Sequence, residues 1–250
     1  MANPLSRREF VAAAGGALAL GCASRAPLGA ASGAGARADL RANAVVLFQG
    51  DSITDGGRDR AAAAPNVAAA LGTAYPLLIA SALLRAYPER GLRFYNRGVS
   101  GNKVPELQAR WEADALALAP DVLSVLVGVN DFWHKRLNGY AGTVADYETQ
   151  YVALLEATCR ALPGVRLVVL EPFVLRAGVV DETWFPEFDE RRATAARVAQ
   201  RAGATFVPLQ AQFDELATRT TSTYWAADGV HPTPAGHALI AERWRAGVGL

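Results

Sequence analysis

The sequence predicts an α/β protein: a three-layer α/β/α sandwich with helices on both faces of a central parallel sheet of about five strands. From Asn43 to Trp244, short apolar runs alternate with helical patterns, the β-α-β-α order that builds parallel sheets. The runs are predominantly apolar rather than alternating, as strands covered on both faces require. Polar, glycine-bearing segments follow the strands, and open α/β sheets bind ligands beyond the carboxyl ends of their strands.

The strand candidates are Ala44–Phe48 ("AVVLF"), Leu92–Tyr95 ("LRFY"), Val122–Val127 ("VLSVLV"), Val165–Leu170 ("VRLVVL") and Thr205–Val207 ("TFV"). Each is short and rich in β-branched, aromatic or other apolar residues. Helical patterns fill the intervals at Pro76–Ala86, Pro105–Ala119, Val144–Ala161 and Glu187–Ala202, with a last one at Pro234–Trp244. No internal repeat is visible. Residues 41–250 are expected to form one domain, and an apolar content of 51% supplies a large core.

The formal charge of +1 gives no electrostatic case for a nucleic acid or an anionic membrane as partner. No apolar run in the main body reaches the roughly 20 residues of a membrane span. The two cysteines, Cys22 and Cys159, show no zinc-type spacing with histidine, so no structural metal is suggested.

Residues 1–40 read as an export signal and a low-complexity tether. Arg7 and Arg8 precede a weakly apolar, Ala/Gly-rich stretch, the layout of a twin-arginine signal. The expected destination is the periplasm or the cell surface. "ALGC" at Ala19–Cys22 loosely resembles a lipoprotein processing site, which would make Cys22 a lipid anchor; cleavage at Ala34-Gly35-Ala36 is the rival.

Four segments carry the chemistry: "QGDSITDGG" after the first strand, "NRGVSGN" after the second, "GVNDFW" after the third, and "DGVHPTPAGH" before the last helix. A serine hydroxyl is a weak nucleophile near neutral pH and needs a base within hydrogen-bond reach. Of His134, His231 and His237, only His231 has a carboxylate three residues upstream, Asp228. In a tight turn that spacing lets Asp228 hold the Nδ1 proton and leaves Nε2 free to accept from Ser52. Acyl transfer also needs donors where the oxyanion develops. The Ser52 and Gly101 backbone N–H groups and the Asn130 side-chain amide are the candidates.

The four segments resemble the blocks of the SGNH hydrolases, the GDSL esterase superfamily: "GDSIT", "NRGVSG", "GVND" and "DGVHP", in order from Gly50 to Pro232. The resemblance implies a flavodoxin-like SGNH hydrolase fold, Ser52 as nucleophile, Asp228 and His231 as the rest of a triad, and Gly101 and Asn130 as oxyanion donors. An α/β-hydrolase elbow would read G-x-S-x-G, and Thr54 stands where its last glycine belongs. "GDSITDGGR", "LGTAYP", "GVSGNKVPELQARWEAD", "GVNDFW" and "HPTPAGH" together are similar to the SGNH-type acetylxylan esterases. That similarity implies removal of acetyl groups from xylan-type carbohydrate, with no metal or organic cofactor called for.

Several residues carry competing readings. Ser52 alone would suit a helix N-cap. Arg58 is a candidate sugar contact, and Phe132 and Trp133 are candidate walls of a small acyl pocket or packing residues. Asp51 and Asp131 read as structural carboxylates, His237 as a structural polar residue. The Ala-rich stretch 59–72 and the loop Arg176–Trp184 receive no role. Two rival functions are a lysophospholipase or thioesterase on the same fold, and a non-catalytic carbohydrate-binding lipoprotein. The oligomeric state cannot be read from the sequence.

Overall fold

The computed structural model describes residues 40–250. The expected export signal and the candidate lipid anchor Cys22 lie outside the described residues. Leu40, expected at the end of the tether, is packed in the core instead, and its carbonyl accepts from the Arg90 guanidinium.

Five strands, β1 (Val45–Gly50), β2 (Arg93–Asn96), β3 (Val122–Leu126), β4 (Arg166–Leu170) and β5 (Thr205–Val207), make one parallel sheet. Their order is β2-β1-β3-β4-β5, with Phe48 opposite Asn96 on one side and Ser124 on the other. All five fall within two residues of the expected strand positions. The helices are α1 (Ser52–Asp55), α2 (Ala68–Leu71), α3 (Tyr75–Ala86), α4 (Val104–Asp114), α5 (Val129–Asn138), α6 (Val144–Ala161), α7 (Glu187–Ala202), α8 (Gln210–Ala217), α9 (Ser222–Trp225) and α10 (Pro234–Val248).

Side chains leave a strand alternately to its two faces, and each face here has its own core. Val46, Phe48, Val122 and Val168 pack against Ile79 and Leu83 of α3 and Ile240 and Trp244 of α10. Leu47, Leu123, Val125, Leu167 and Val169 pack against Leu107 and Trp111 of α4, Tyr151 and Leu155 of α6, and Val198 of α7. The two tryptophans drawn inside have partners: Trp244 Nε1 donates to Ser124 Oγ at 2.9 Å, and Trp111 Nε1 to Thr158 Oγ1 at 2.9 Å. An unpaired buried donor would cost about 1–3 kcal/mol.

The helix expected at Pro105–Ala119 ends at Asp114 and passes into a 3-10 turn, Leu116–Leu118. The Ala-rich stretch protects a sheet edge. Asn66 donates its N–H to the Phe94 carbonyl and accepts the Phe94 N–H at 2.8 Å, occupying the outer rim of β2. Edge strands left open invite pairing with other chains. Among the described residues no helix is long and apolar enough to cross a membrane.

Candidate active site

In this strand order the chain switches direction beside β1, where open α/β sheets form their ligand crevice. β1 ends in Gly50, and α1 begins at once with Ser52. Asp51 caps that short helix, accepting the Ile53 N–H at 3.0 Å. The first N–H groups of a helix have no partner within it, so Ser52 offers both a hydroxyl and a backbone donor at the sheet edge. Burial, with a smaller contribution from the charge of Asp131, pushes the Asp51 carboxyl up to about 7. Its role is the structural one expected.

His231 reaches Ser52 across 179 positions of sequence, with Nε2 2.9 Å from Oγ. Its Nδ1 lies 2.7 Å from Asp228 Oδ2. Asp228 Oδ1 also accepts the backbone N–H groups of Val230 and His231, at 2.9 and 2.7 Å. Partial burial pushes the Asp228 carboxyl up, but the His231 ring and these two N–H donors outweigh it and hold it below the usual carboxylate range. The turn is closed by an antiparallel bridge between Ala226 and Pro232 and by the Thr233 N–H, which donates to the Trp225 carbonyl at 2.9 Å. A neutral imidazole with its proton on Nδ1 can therefore accept from Ser52.

Gly101 follows β2 with φ of 82°, a conformation that side chains disfavour. An added Cβ would meet only the His134 ring, at 3.7 Å. The backbone angle, not crowding, calls for glycine. The glycine loop is tied to α1: Asp55 Oδ2 accepts the Ser100 N–H at 3.0 Å, its hydroxyl at 2.9 Å and the Arg60 guanidinium at 2.9 Å. Asn96 at the end of β2 adds bonds to the Thr54 and Leu71 carbonyls and to the Gly98 N–H. Asn130 lies in the first turn of α5, where its Nδ2 donates to the Asn102 carbonyl at 3.2 Å. An amide has two hydrogens, so one still remains for a ligand.

The remaining candidates separate. Trp133 lies at the site, its ring centroid 5.8 Å from that of His231. Phe132 is only 4% exposed and packs on Trp184 and Phe188, so it belongs to the core rather than to a pocket wall. Arg58 is 8% exposed, with Nε donating to the Gly98 carbonyl at 2.9 Å. It braces the glycine loop, and no sugar contact is drawn from it. Asp131 accepts weakly from the Val104 N–H, and burial raises its carboxyl to about 6. His237 is pushed down to about 4 by burial, which suits a neutral structural ring. Among the described residues no cluster of His, Cys, Asp and Glu has metal-holding geometry.

Sequence reasoning missed Asp55, Ser100 and Trp184. The first two stand within quoted motifs but contact each other across 45 positions, which no local pattern reveals.

A hydroxyl, an imidazole and a carboxylate in line at the C-terminal edge of a parallel sheet have the layout of a serine-type hydrolase. The chain belongs to the GDSL-like lipase/acylhydrolase family, which it matches over residues 48–239. It is 34% identical over 211 residues to an acetylxylan esterase of Geobacillus stearothermophilus, across 82% of this chain and 94% of that one. A crystal structure of that esterase superposes with a TM-score of 0.76 at 31% identity, covering 84% of this chain and 96% of the other. A protein of Parabacteroides merdae ATCC 43184 described as a GDSL-like lipase gives a TM-score of 0.83 at 44% identity, covering 86% and 99%. The protein is a carboxylic ester hydrolase.

Proposed function

We propose that the protein is a serine esterase that removes acetyl groups from acetylated carbohydrate of the xylan type through an acyl-enzyme on Ser52. One observation carries the proposal: Ser52 Oγ, His231 and Asp228 form an unbroken hydrogen-bonded line. His231 takes the Ser52 proton as Oγ attacks the ester carbonyl. The Ser52 and Gly101 N–H groups and the Asn130 amide stabilise the oxyanion. His231 then returns the proton to the leaving sugar oxygen, and the acetyl group stays on Ser52. Water, deprotonated by His231, releases acetate and restores the hydroxyl.

The similarity to a Geobacillus stearothermophilus acetylxylan esterase supports the substrate class. Trp133 beside the imidazole favours a short acyl group over the long groove a lysophospholipase needs. Acetate release from a panel of acetylated polysaccharides, with the Ser52→Ala protein as control, tests the reading. Release from acetylated xylan that the variant lacks is the expected result. Turnover confined to octanoyl or longer esters favours the lipase reading, and sugar binding without any hydrolysis favours the non-catalytic one.

We also propose export by the twin-arginine signal, to the periplasm or the cell surface. Fractionation of cells carrying the native chain or its Arg7→Lys, Arg8→Lys variant checks this. A mature mass that includes diacylglycerol on Cys22 identifies a lipoprotein; cleavage after Ala36 excludes one.

A further inference from the structure

The segment from Leu175 to Trp184 touches both halves of the site. On one side it holds the acid–base turn: the Leu175 N–H donates to the Gly229 carbonyl at 2.8 Å, and the Val179 N–H to the Asp228 carbonyl at 3.0 Å. The fit is tight, because a Cβ on Gly178 would fall 2.5 Å from Asp228 Cα and 2.6 Å from its carbonyl carbon. A Cβ on Gly229 would strike the Leu175 and Ala177 carbonyls in return. Two backbones therefore pack with nothing between them.

On the other side the segment is fixed to α5, the helix that begins beside Asn130. Trp184 is 1% exposed, and its ring lies 5.1 Å from Phe132 and 5.9 Å from Trp133. Its indole N–H donates to the Val179 carbonyl at 3.0 Å. Val179 thus accepts from Trp184 through its carbonyl and donates to Asp228 through its N–H. Arg136 of α5 donates to the Thr183 carbonyl at 2.9 Å and lies over the Phe132 and Trp184 rings. Trp133, pressed by Trp184, meets the His231 ring in turn.

We propose that residues 175–184 are a strut that sets the separation between the Asp228–His231 turn and the helix carrying Asn130, with Gly178 and Trp184 as its positioning residues. The strut rests on the proposed role of Ser52, His231 and Asp228. Neither Gly178 nor Trp184 takes part in a chemical step. Their contacts hold Asp228 in register with the imidazole and the imidazole in register with Ser52, where misplacement by about 1 Å can cost about 100-fold in rate.

The test is the kinetics of p-nitrophenyl acetate hydrolysis across pH for Gly178→Ala, Trp184→Phe, Gly164→Ala and Ser52→Ala. Gly178→Ala puts a methyl group against Asp228, and we expect kcat to fall about tenfold or more with KM within about twofold. The acid limb of its pH–rate profile should move to lower pH, because an imidazolium whose carboxylate has shifted holds its proton less well. Trp184→Phe keeps a ring but loses the donor to Val179, so the same changes are expected at smaller size. Gly164 also has positive φ, 92°, but nothing lies within 4 Å of an added Cβ, so its alanine variant should match the parent. Unchanged kcat and pH limb in Gly178→Ala and Trp184→Phe overturn the strut, as does an equal loss in Gly164→Ala. If Gly178→Ala does not fold, Trp184→Phe decides. Full activity in Ser52→Ala overturns the underlying mechanism instead.

Discussion

Ser52 and His231 are joined by a single 2.9 Å contact that neither of their local sequences specifies. Removing the hydroxyl removes the acyl acceptor, so Ser52→Ala should lower kcat for p-nitrophenyl acetate by about 10⁴-fold, the scale on which triad members act. Asp228→Asn, which keeps the shape but loses the charge holding the imidazole, should also lower kcat steeply at unchanged KM. Asn130→Ala should cost about 100-fold in kcat, typical of one oxyanion donor, with binding of a non-hydrolysable sugar unaffected. A wild-type rate in Asn130→Ala would leave the oxyanion to the backbone donors alone. These residues were legible because each sits in a short motif whose chemistry is local: a serine at a strand exit, a histidine three places after an aspartate. Phe132 and Arg58 were not. Nothing in "DFW" says which ring turns into the core, and nothing in "DGGR" shows that the guanidinium folds under Gly98.

At the scale of elements, the strands could be read because a sheet covered on both faces needs mostly apolar runs, and β1 and β3 are buried at every position. The four-residue helices α1, α2 and α9 are too short to show a period, and α5 opens inside a motif that reads as a loop. Ser52 opens α1 and Asn130 lies in the first turn of α5, so the site was less visible than its scaffold. The N-cap of α1 makes a prediction of its own. Asp51 has a carboxyl raised to about 7 in the fold, whereas an unfolded chain leaves it near 3.9. The folded state therefore binds the proton more tightly, and the stability this group contributes is lost as pH rises from about 4 through about 7. Asp51→Asn keeps an oxygen for the Ile53 N–H and cannot ionise. Its melting temperature should fall less than that of the parent between pH 5 and pH 8, as followed by circular dichroism. Equal losses in both proteins would show that burial does not raise the Asp51 carboxyl.

For the whole molecule, the predicted sandwich and the observed one agree in layers, in the parallel sense of the sheet and in strand number. The order β2-β1-β3-β4-β5 was not read from the sequence, because apolar runs do not say which strand neighbours which. The mutual support of distant segments was hidden for the same reason: the bonds from residues 175 and 179 to the 228–229 turn span 54 and 49 positions. This architecture also bears on substrate size. With Trp133 against His231, acetyl esters should be hydrolysed with higher kcat/KM than octanoyl esters, by about tenfold or more if one side of the pocket is closed. Trp133→Ala should narrow that gap, and a parent protein indifferent to chain length would remove Trp133 from the account.

The most direct test of the central claim is rapid-mixing hydrolysis of p-nitrophenyl acetate, followed by acid quenching and mass analysis of the protein. An acyl-enzyme predicts a burst of p-nitrophenol when deacylation limits turnover, with a 42 Da addition on the peptide that contains Ser52, about the mass of an acetyl group in place of hydrogen. The same peptide from Ser52→Ala should stay unmodified. Steady hydrolysis that Ser52→Ala retains, or an acetyl group captured on another residue, would contradict it.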